Sequence, residues 1–187
     1  MIVIVQGSNR KGNLTRPFVE YAADYLNEKG EACVILDLEH LPSDVLHSEM
    51  YADGVEHYFL DQAATEMRKT NRWVFAFPEY NGSFPGGLKV FIDALSVRDL
   101  KTLFGEKTAG LIGTSTGRAG NLRGLDHFHS VLNHLGTTVM PQSLPISHIA
   151  EMIDEDGNLI DEEAQKSISE FLDRFLAYTS KNVAVSA

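Results

Sequence analysis

The sequence predicts an α/β fold in which a parallel sheet is covered by helices on both faces. Unbroken apolarity is typical of parallel strands buried on both sides, and the segments between the apolar runs carry helical patterns. A chain of 187 residues with 43% hydrophobic content can bury one sizeable core. We therefore expect one domain spanning residues 1–187. The five apolar runs occupy residues 2–6, 32–38, 73–77, 108–115 and 137–142.

The helical segments are recognised by apolar side chains at three- and four-residue spacing, which places them on one face of a helix. Gly30 ends the first pattern. The segment from Glu39 to Gly54 is polar and rich in turn residues, and we expect a surface loop there, with a lid over a ligand as the alternative. Later helices are expected to begin near Gly86 and Leu122. The first and last helices show the stripes Phe18, Tyr21, Ala22, Tyr25, Leu26 and Ile168, Phe171, Leu172, Phe175, Leu176.

Strands and helices that alternate five times favour right-handed crossovers and a three-layer sandwich. The most economical arrangement is flavodoxin-like, with five parallel strands in the order 2-1-3-4-5 and helices on both faces.

Composition excludes several classes of function. The formal net charge is -10, which disfavours a nucleic-acid partner because the phosphate backbone is itself negative. A single cysteine excludes disulfides and cysteine-ligated clusters. We expect no membrane partner, since no apolar run approaches the roughly 20 residues of a membrane span. The first residues resemble a strand rather than a signal peptide, so we expect a cytoplasmic protein.

Three unusual loops follow the first, third and fourth runs. In an open α/β sheet, ligands bind at the carboxyl ends of the strands. Loop one, residues 7–17, combines the start of a helix with hydroxyl, amide and guanidinium groups, which suits a phosphate dianion. Helix capping alone would explain Asn13 or Thr15, but not Ser8 with Arg10. Neither common nucleotide signature is present, which disfavours an ATPase or a Rossmann dehydrogenase.

Loop two, residues 78–89, reads PEYNGSFPGGLK, and loop three, residues 115–121, reads STGRAGN. Their glycines allow the backbone to approach a flat ligand closely, and successive N–H groups offer donors to ring atoms. A tight strand-to-helix connection is the structural alternative for loop two. A phosphate site with two donor-rich loops predicts a phosphorylated planar ligand.

These loops resemble the three flavin loops of the NADPH-dependent FMN reductase family, in order and spacing over nearly the whole chain. Three residues differ from the family's usual pattern: Asn13, Asn121 and Ala94 replace serine, glycine and tryptophan. By the resemblance, the FMN phosphate would be held by Ser8, Arg10, Asn13 and Thr15. The isoalloxazine would be bordered by Pro78, Glu79, Tyr80, Asn81 and Gly82, and its pyrimidine side by Ser115, Thr116, Gly117 and Gly120.

The resemblance implies an enzyme that transfers hydride from NADPH or NADH to bound FMN and on to flavin, quinone or similar small-molecule acceptors. The cofactor supplies the reaction, so no side chain is assigned as catalytic. The alternatives are a flavodoxin-like electron carrier and a flavin-binding redox sensor without turnover. Arg118 would either reach a phosphate or remain solvated.

The resemblance also implies a homodimer or homotetramer. Phe84 and Phe91 are candidate subunit contacts, with packing inside the chain as the preferred alternative. No metal site is expected. His127 and His129 point to opposite faces of one helix, and residues 154–165 lack the glycine and glutamate of a calcium loop.

Overall fold

The predicted sheet is present in a computed structural model of the chain, which describes residues 1–52 and 54–183. The described residues form a six-stranded parallel sheet in the order β2-β1-β3-β4-β5, and β6 also pairs with β4. The predicted strand order is confirmed, and the predicted number of five strands is corrected to six. The strands are β1 (Ile2–Gln6), β2 (Cys33–Asp37), β3 (Arg72–Pro78), β4 (Thr108–Thr114), β5 (Thr138–Val139) and β6 (Leu144–Ile146).

The extra strand β6 follows a turn at the end of the last apolar run. Pro141 has no N–H to donate to a ladder, and Gln142 takes a left-handed backbone with φ of 64°. Strand β5 pairs with the first residues of β4, and the chain then leaves the sheet at this turn. It returns as β6, which pairs with Ile112–Thr114 at the end of β4. The predicted strand over residues 137–142 thus corresponds to β5, and β6 is an additional strand beyond it.

The helices begin and end at residues whose backbone preferences suit those positions. Pro17 stands in the first turn of α1, where a missing N–H costs nothing, and Gly30 follows the helix with φ of 81°. Helix α3 is kinked at Asp99, where the backbone is extended, and the Asp99 carboxylate accepts a hydrogen bond from the Thr102 amide at 3.1 Å. The helices are α1 (Arg16–Glu28), α2 (Tyr58–Arg68), α3 (Gly86–Phe104), α4 (Leu122–His134) and α5 (Glu162–Val183).

Apolar side chains alternate along β1 and build a core on each face of the sheet. Val3 and Val5 belong to the core beneath α2, α3 and α4, whereas Ile2 and Ile4 pack against α1 and α5. The first face contains Phe91 and Ala94, both fully buried. Neither is therefore available to a second subunit, which confirms the preferred alternative that Phe91 packs inside the chain. The Phe84 ring packs at 5.2 Å from the ring of Phe128 in the same chain.

The segment from Glu39 to Gly54 is more ordered than a surface loop. It contains single turns of 3-10 helix at Ser43–Leu46 and Ser48–Tyr51, after a first turn at Leu38–His40. Val45 and Met50 are buried in the core below it. Asp53 lies outside the described residues.

A buried lysine lies at the amino edge of the sheet, opposite the three loops. Lys107 is 8% exposed, and its Nζ donates to the carbonyl oxygen of Thr70 at 2.9 Å. Burial lowers the pKa of Lys107 because removal from water disfavours the charged form.

None of the helices formed by the described residues combines the length and the apolar character that crossing a membrane requires.

Candidate functional site

A cleft of about 310 Å³ opens at the carboxyl edge of the sheet, where the three loops meet. Parallel strands β1, β3 and β4 are neighbours in the sheet, so the segments that follow them converge at the same edge. The cleft is lined by Arg10, Lys11, Gly12, Asn13, Leu14, Thr15, Pro78, Glu79, Tyr80, Ser115, Thr116 and Ile149.

Loop one offers unused hydrogen-bond donors to this cleft. Among the residues that the structure describes, none accepts a hydrogen bond from the backbone N–H groups of Lys11, Gly12, Asn13, Leu14 or Thr15. The loop is exposed at Lys11, Gly12 and Leu14. Five free amides before a helix, beside two cationic side chains, are a donor set that suits an anionic group.

Ser8 and Tyr80 connect loop one to loop two. Ser8 is fully buried, and its Oγ lies 2.6 Å from the Tyr80 hydroxyl and accepts a hydrogen bond from the Arg10 amide at 3.3 Å. The Arg10 guanidinium lies 5.6 Å from the centre of the Tyr80 ring, a cation–π distance. Ser8 is therefore behind the lining of the cleft, and Tyr80 stands between it and the opening.

Thr15 and Asn13 use their side chains within the protein. Thr15 stands at the N-cap position of α1, yet its hydroxyl makes no cap bond and instead lies 2.8 Å from the Thr114 hydroxyl of β4. The Asn13 Nδ2 donates to the Arg10 carbonyl oxygen at 3.1 Å and lies 3.5 Å from a Glu39 carboxylate oxygen. Capping accounts for neither side chain, which answers the alternative raised from the sequence.

Loop two is a tight turn held by its own polar groups. The Glu79 carboxylate accepts a hydrogen bond from the Gly82 amide, and Tyr80 and Ser83 exchange backbone hydrogen bonds at 2.9 and 3.1 Å. Asn81 and Gly82 occupy the turn with φ values of 53° and 79°. The Glu79 amide donates to the Thr114 carbonyl oxygen at 2.8 Å, which ties the turn to β4. Glu79 thus has a structural role in fixing the turn.

Loop three is fixed from both sides. Ser115 donates its amide to Ile146 of β6 at 2.9 Å, and its Oγ accepts from the Gly117 amide at 3.1 Å. Gly120 has φ of 55°, and a Cβ there would lie 2.8 Å from the Pro145 Cβ, so the close approach requires glycine. Thr116 is exposed on the cleft wall.

Asn121 couples loop three to the end of β3. It is 1% exposed, has φ of 63°, and donates from Nδ2 to the Phe77 carbonyl oxygen at 3.1 Å. Next to it, a Cβ on Gly124 would lie 2.1 Å from the Asn121 Oδ1 and 2.9 Å from the Ser83 carbonyl carbon. The first turn of α4 can therefore approach loop two only because residue 124 is glycine.

The structure brings eight of the thirteen predicted site residues to the cleft lining and leaves five outside it. Of those five, Ser8 is one contact behind the lining, and Asn81, Gly82, Gly117 and Gly120 shape the turns. The sequence interpretation missed Lys11, Gly12, Leu14 and Ile149. The first three lie inside the loop already singled out. Ile149 carried no signal, because it follows the strand β6 that was not predicted; its amide donates to Ser115 at 3.2 Å.

Several cations on or beside the loops of this acidic protein are unpaired. Within the described part of the chain, Arg10, Lys11, Arg118 and Arg123 form no ion pair with a carboxylate. Arg16, at the base of loop one, is paired: its hydrogen bond with Glu20 and the charge of Asp37 raise the pKa of Arg16. Among the described residues, Lys101, Lys166 and Arg174 on the helices form no ion pair either, so the loops hold part of the free positive charge.

The donor set fits FMN. The phosphate requires donors and positive charge, which the loop-one amides, Arg10 and Lys11 supply. The ring requires a flat apolar wall with donors at its edge, which the buried Pro78 and the free Thr116 amide supply. Across residues 1–52 and 54–183, no group of three or more histidine, cysteine, aspartate or glutamate side chains is placed to hold a metal ion.

Comparison with known proteins agrees with this geometry. The family model described as NADPH-dependent FMN reductase matches residues 1–151. A 2-hydroxy-1,4-benzoquinone reductase from a Burkholderia species is 34% identical over 181 residues, which cover 95% of this chain and 94% of that protein. An NAD(P)H-dependent FMN reductase of Pseudomonas aeruginosa is 30% identical, covering 90% of this chain and 89% of its own.

Two solved structures place the fold. The flavoenzyme FerB, an NAD(P)H:acceptor oxidoreductase from Paracoccus denitrificans, matches with a TM-score of 0.77 and 26% identity over 96% of this chain and 97% of its own. A pneumococcal flavodoxin matches with a TM-score of 0.60 and 18% identity over 95% and 98%, which shows a shared fold alone. The family match and the relatives agree with the loops: this chain belongs to the NADPH-dependent FMN reductase family.

Proposed function

We propose that the chain, as one FMN-binding domain, is an FMN-dependent NAD(P)H oxidoreductase that reduces quinones or related small electron acceptors. The observation that carries the proposal is loop one, where five free amides and two unpaired cations border the cleft. Family membership provides the reaction class, and the names of the relatives favour quinones as the acceptor class.

Each loop has a distinct part in holding FMN. Arg10, Lys11 and the loop-one amides would bind the phosphate, and the Ser8–Tyr80 contact would hold the loop beside them. Pro78 and the Glu79–Gly82 turn would support the ring. Ser115 and Thr116 would supply donors along its pyrimidine side, where negative charge is best stabilised by fixed dipoles.

When bound, FMN would supply the redox chemistry: it would take a hydride from NAD(P)H and pass two electrons and one proton to the acceptor, whose second proton would come from water. The side chains of this site bind and orient. Glu79 is engaged by the Gly82 amide, so we assign no side chain to proton transfer.

The test is an absorbance spectrum of FMN-reconstituted protein under anaerobic conditions, before and after NADPH and separately NADH. We expect NADPH, NADH or both to reduce the bound flavin rapidly, which is seen as a loss of its visible absorbance. If dithionite reduces the bound flavin and neither nucleotide does, the result would instead support a flavodoxin-like carrier or a redox sensor. Protein that binds no flavin would overturn the proposal.

The acceptor is tested by steady-state rates with 1,4-benzoquinone, free FMN and an azo dye at equal NADPH. We expect the highest kcat/KM with the quinone. Equal kcat/KM values for the three acceptors would contradict a preference for quinones and would indicate a general flavin reductase.

We further propose a cytoplasmic homodimer or homotetramer. Apolar side chains left exposed on the single chain support it: Tyr58 is 84% and Leu46 is 70% exposed, and Val97 on α3 is 50% exposed. Light scattering after size exclusion measures the subunit number, and a monomer at micromolar concentration would contradict it.

A further inference from the structure

A buried glutamine ends the otherwise apolar strand β1. Gln6 is fully buried and follows Ile2, Val3, Ile4 and Val5, all of which are in the core. A buried carboxamide is costly unless its donors and acceptor are satisfied. The contacts of Gln6 therefore indicate why it is there.

The Gln6 carboxamide holds both backbone groups of Ser8. Its Oε1 accepts from the Ser8 amide at 2.6 Å, and its Nε2 donates to the Ser8 carbonyl oxygen at 2.9 Å. A side chain thus replaces the ladder bonds that a strand neighbour would give at this position. Beyond Ser8 the chain turns into the free amides of loop one.

Asp37 fixes the orientation of that carboxamide. The Gln6 Nε2 also donates to the Asp37 Oδ1 at 2.6 Å, and the same oxygen accepts from the Glu39 amide at 2.9 Å. The end of β2 therefore determines which way Gln6 faces. Arg16 Nη1 lies 3.5 Å from the other Asp37 oxygen, which keeps this carboxylate partnered.

We propose that Gln6, oriented by Asp37, is the positioning residue of the phosphate loop, and that it determines the preference of the site for FMN over riboflavin. The proposal rests on the proposed function. The connection runs from Asp37 through Gln6 to the Ser8 backbone, and from Ser8 Oγ to the Arg10 amide and the Tyr80 hydroxyl. Loosening Ser8 releases the loop that meets the phosphate and the Tyr80 hydroxyl, whereas the backbone bonds that fix the turn of loop two and loop three remain.

The experiment compares FMN and riboflavin affinities, by quenching of flavin fluorescence, for wild type and Gln6→Met. Methionine keeps the length of the side chain and removes all three hydrogen bonds. We expect the ratio of FMN to riboflavin affinity to fall about tenfold, which corresponds to about 1.4 kcal/mol. A folded Gln6→Met protein with the wild-type ratio would overturn the proposal.

A matched control separates positioning from general destabilisation. Thr137 is 1% exposed and donates to the Phe104 carbonyl oxygen at 2.8 Å, at the far edge of the sheet. Thr137→Val also removes a buried hydrogen bond, so we expect a lower Tm with an unchanged affinity ratio. If Thr137→Val lowered the ratio as much as Gln6→Met, the effect would be one of stability alone, and the proposal would fail.

A charge-neutral exchange tests the role of Asp37. Gln6→Glu places two carboxylates at the 2.6 Å contact without a donor, and we expect a larger loss of the ratio than for Gln6→Met. Adding Asp37→Asn restores a donor–acceptor pair and the net charge of the wild type, so part of the ratio should return. Absence of any recovery would remove Asp37 from the proposal.

Hydrogen exchange of the wild-type protein tests the proposal even if the variants fail to fold. The Ser8 amide should exchange slowly and the Gly12 amide quickly, since only the first has a protein acceptor. Equal, fast exchange would overturn the proposal. A wild type that binds neither flavin would refute the proposed function, while this measurement would still test the Gln6 contacts.

Discussion

Gly124→Ala is expected to destabilise the protein by forcing α4 away from loop two. The new Cβ would lie 2.1 Å from the Asn121 Oδ1 and 2.9 Å from the Ser83 carbonyl carbon, distances that packed atoms do not adopt. Asn121 cannot move aside freely, because it is buried and donates to the Phe77 carbonyl oxygen. The backbone must therefore shift.

Inserting a methyl group into a packed site of this kind costs about 1–3 kcal/mol. For a chain of this size, each kcal/mol lowers Tm by roughly 2–4 °C. Urea unfolding followed by circular dichroism measures the loss directly. Gly124→Ala should also weaken FMN binding, since residue 124 contacts Ser83 of loop two and Asn121 of loop three.

Gly86→Ala is the matched control. Gly86 begins α3, and no heavy atom lies within 4 Å of its Cβ position, so alanine should be neutral or stabilising by up to about 1 kcal/mol. Adding Asn121→Gly to Gly124→Ala removes the closer of the two clashes and should recover part of the stability. If Gly124→Ala and Gly86→Ala unfold at the same urea concentration, the packing described for α4 and loop two is wrong.

Three further predictions follow from contacts of the loops and the far edge. Arg10→Ala should weaken FMN binding by on the order of 1.5–3 kcal/mol in fluorescence titration, whereas Lys29→Ala, at the C-cap of α1 and away from the cleft, should leave it unchanged. Thr15→Val leaves the buried Thr114 hydroxyl without its partner and should lower the free energy of unfolding, measured in urea, by about 1–3 kcal/mol. The double variant Thr15→Val with Thr114→Val should lose less than the sum of the two single losses, and losses that simply add would contradict this prediction. Because the pKa of Lys107 is lowered in the folded protein, the unfolded chain keeps the Lys107 proton to higher pH than the folded chain does. The free energy of unfolding of the wild type should therefore rise relative to that of Lys107→Met as the pH approaches the unfolded pKa of 10.5. A difference between the two proteins that stays constant from pH 7 to 10 would refute the assignment.

Local patterns were sufficient to predict the parts of the fold that depend on one segment at a time. The apolar runs gave β1, β3 and β4, and the glycines and prolines after them located all three loops. Strand β6 was not predicted from the sequence because it is three residues long and contains Pro145, so neither its length nor its composition indicates a strand. Its pairing depends on where β4 lies, which no local pattern contains.

The site was predicted less completely than the fold for the same reason. Residue types and their order pointed to the loops, but the contacts of Gln6 depend on the register of β1 and β2, which brings Gln6 beside Asp37. Asn121 was noted as a departure from the family pattern; its hydrogen bond to Phe77 requires that β3 and β4 be neighbours.

The placement of the unpaired cations also affects how quickly anionic ligands reach the protein. With a formal net charge of -10, most of the surface repels a dinucleotide that diffuses toward it. Arg10 and Lys11 at the cleft, with Arg118 and Arg123 on and after loop three, create a local attraction that grows as the ligand approaches the opening. Productive encounters are thereby favoured over collisions with the remaining surface, and dissolved salt, which shortens the range of both fields, narrows that advantage.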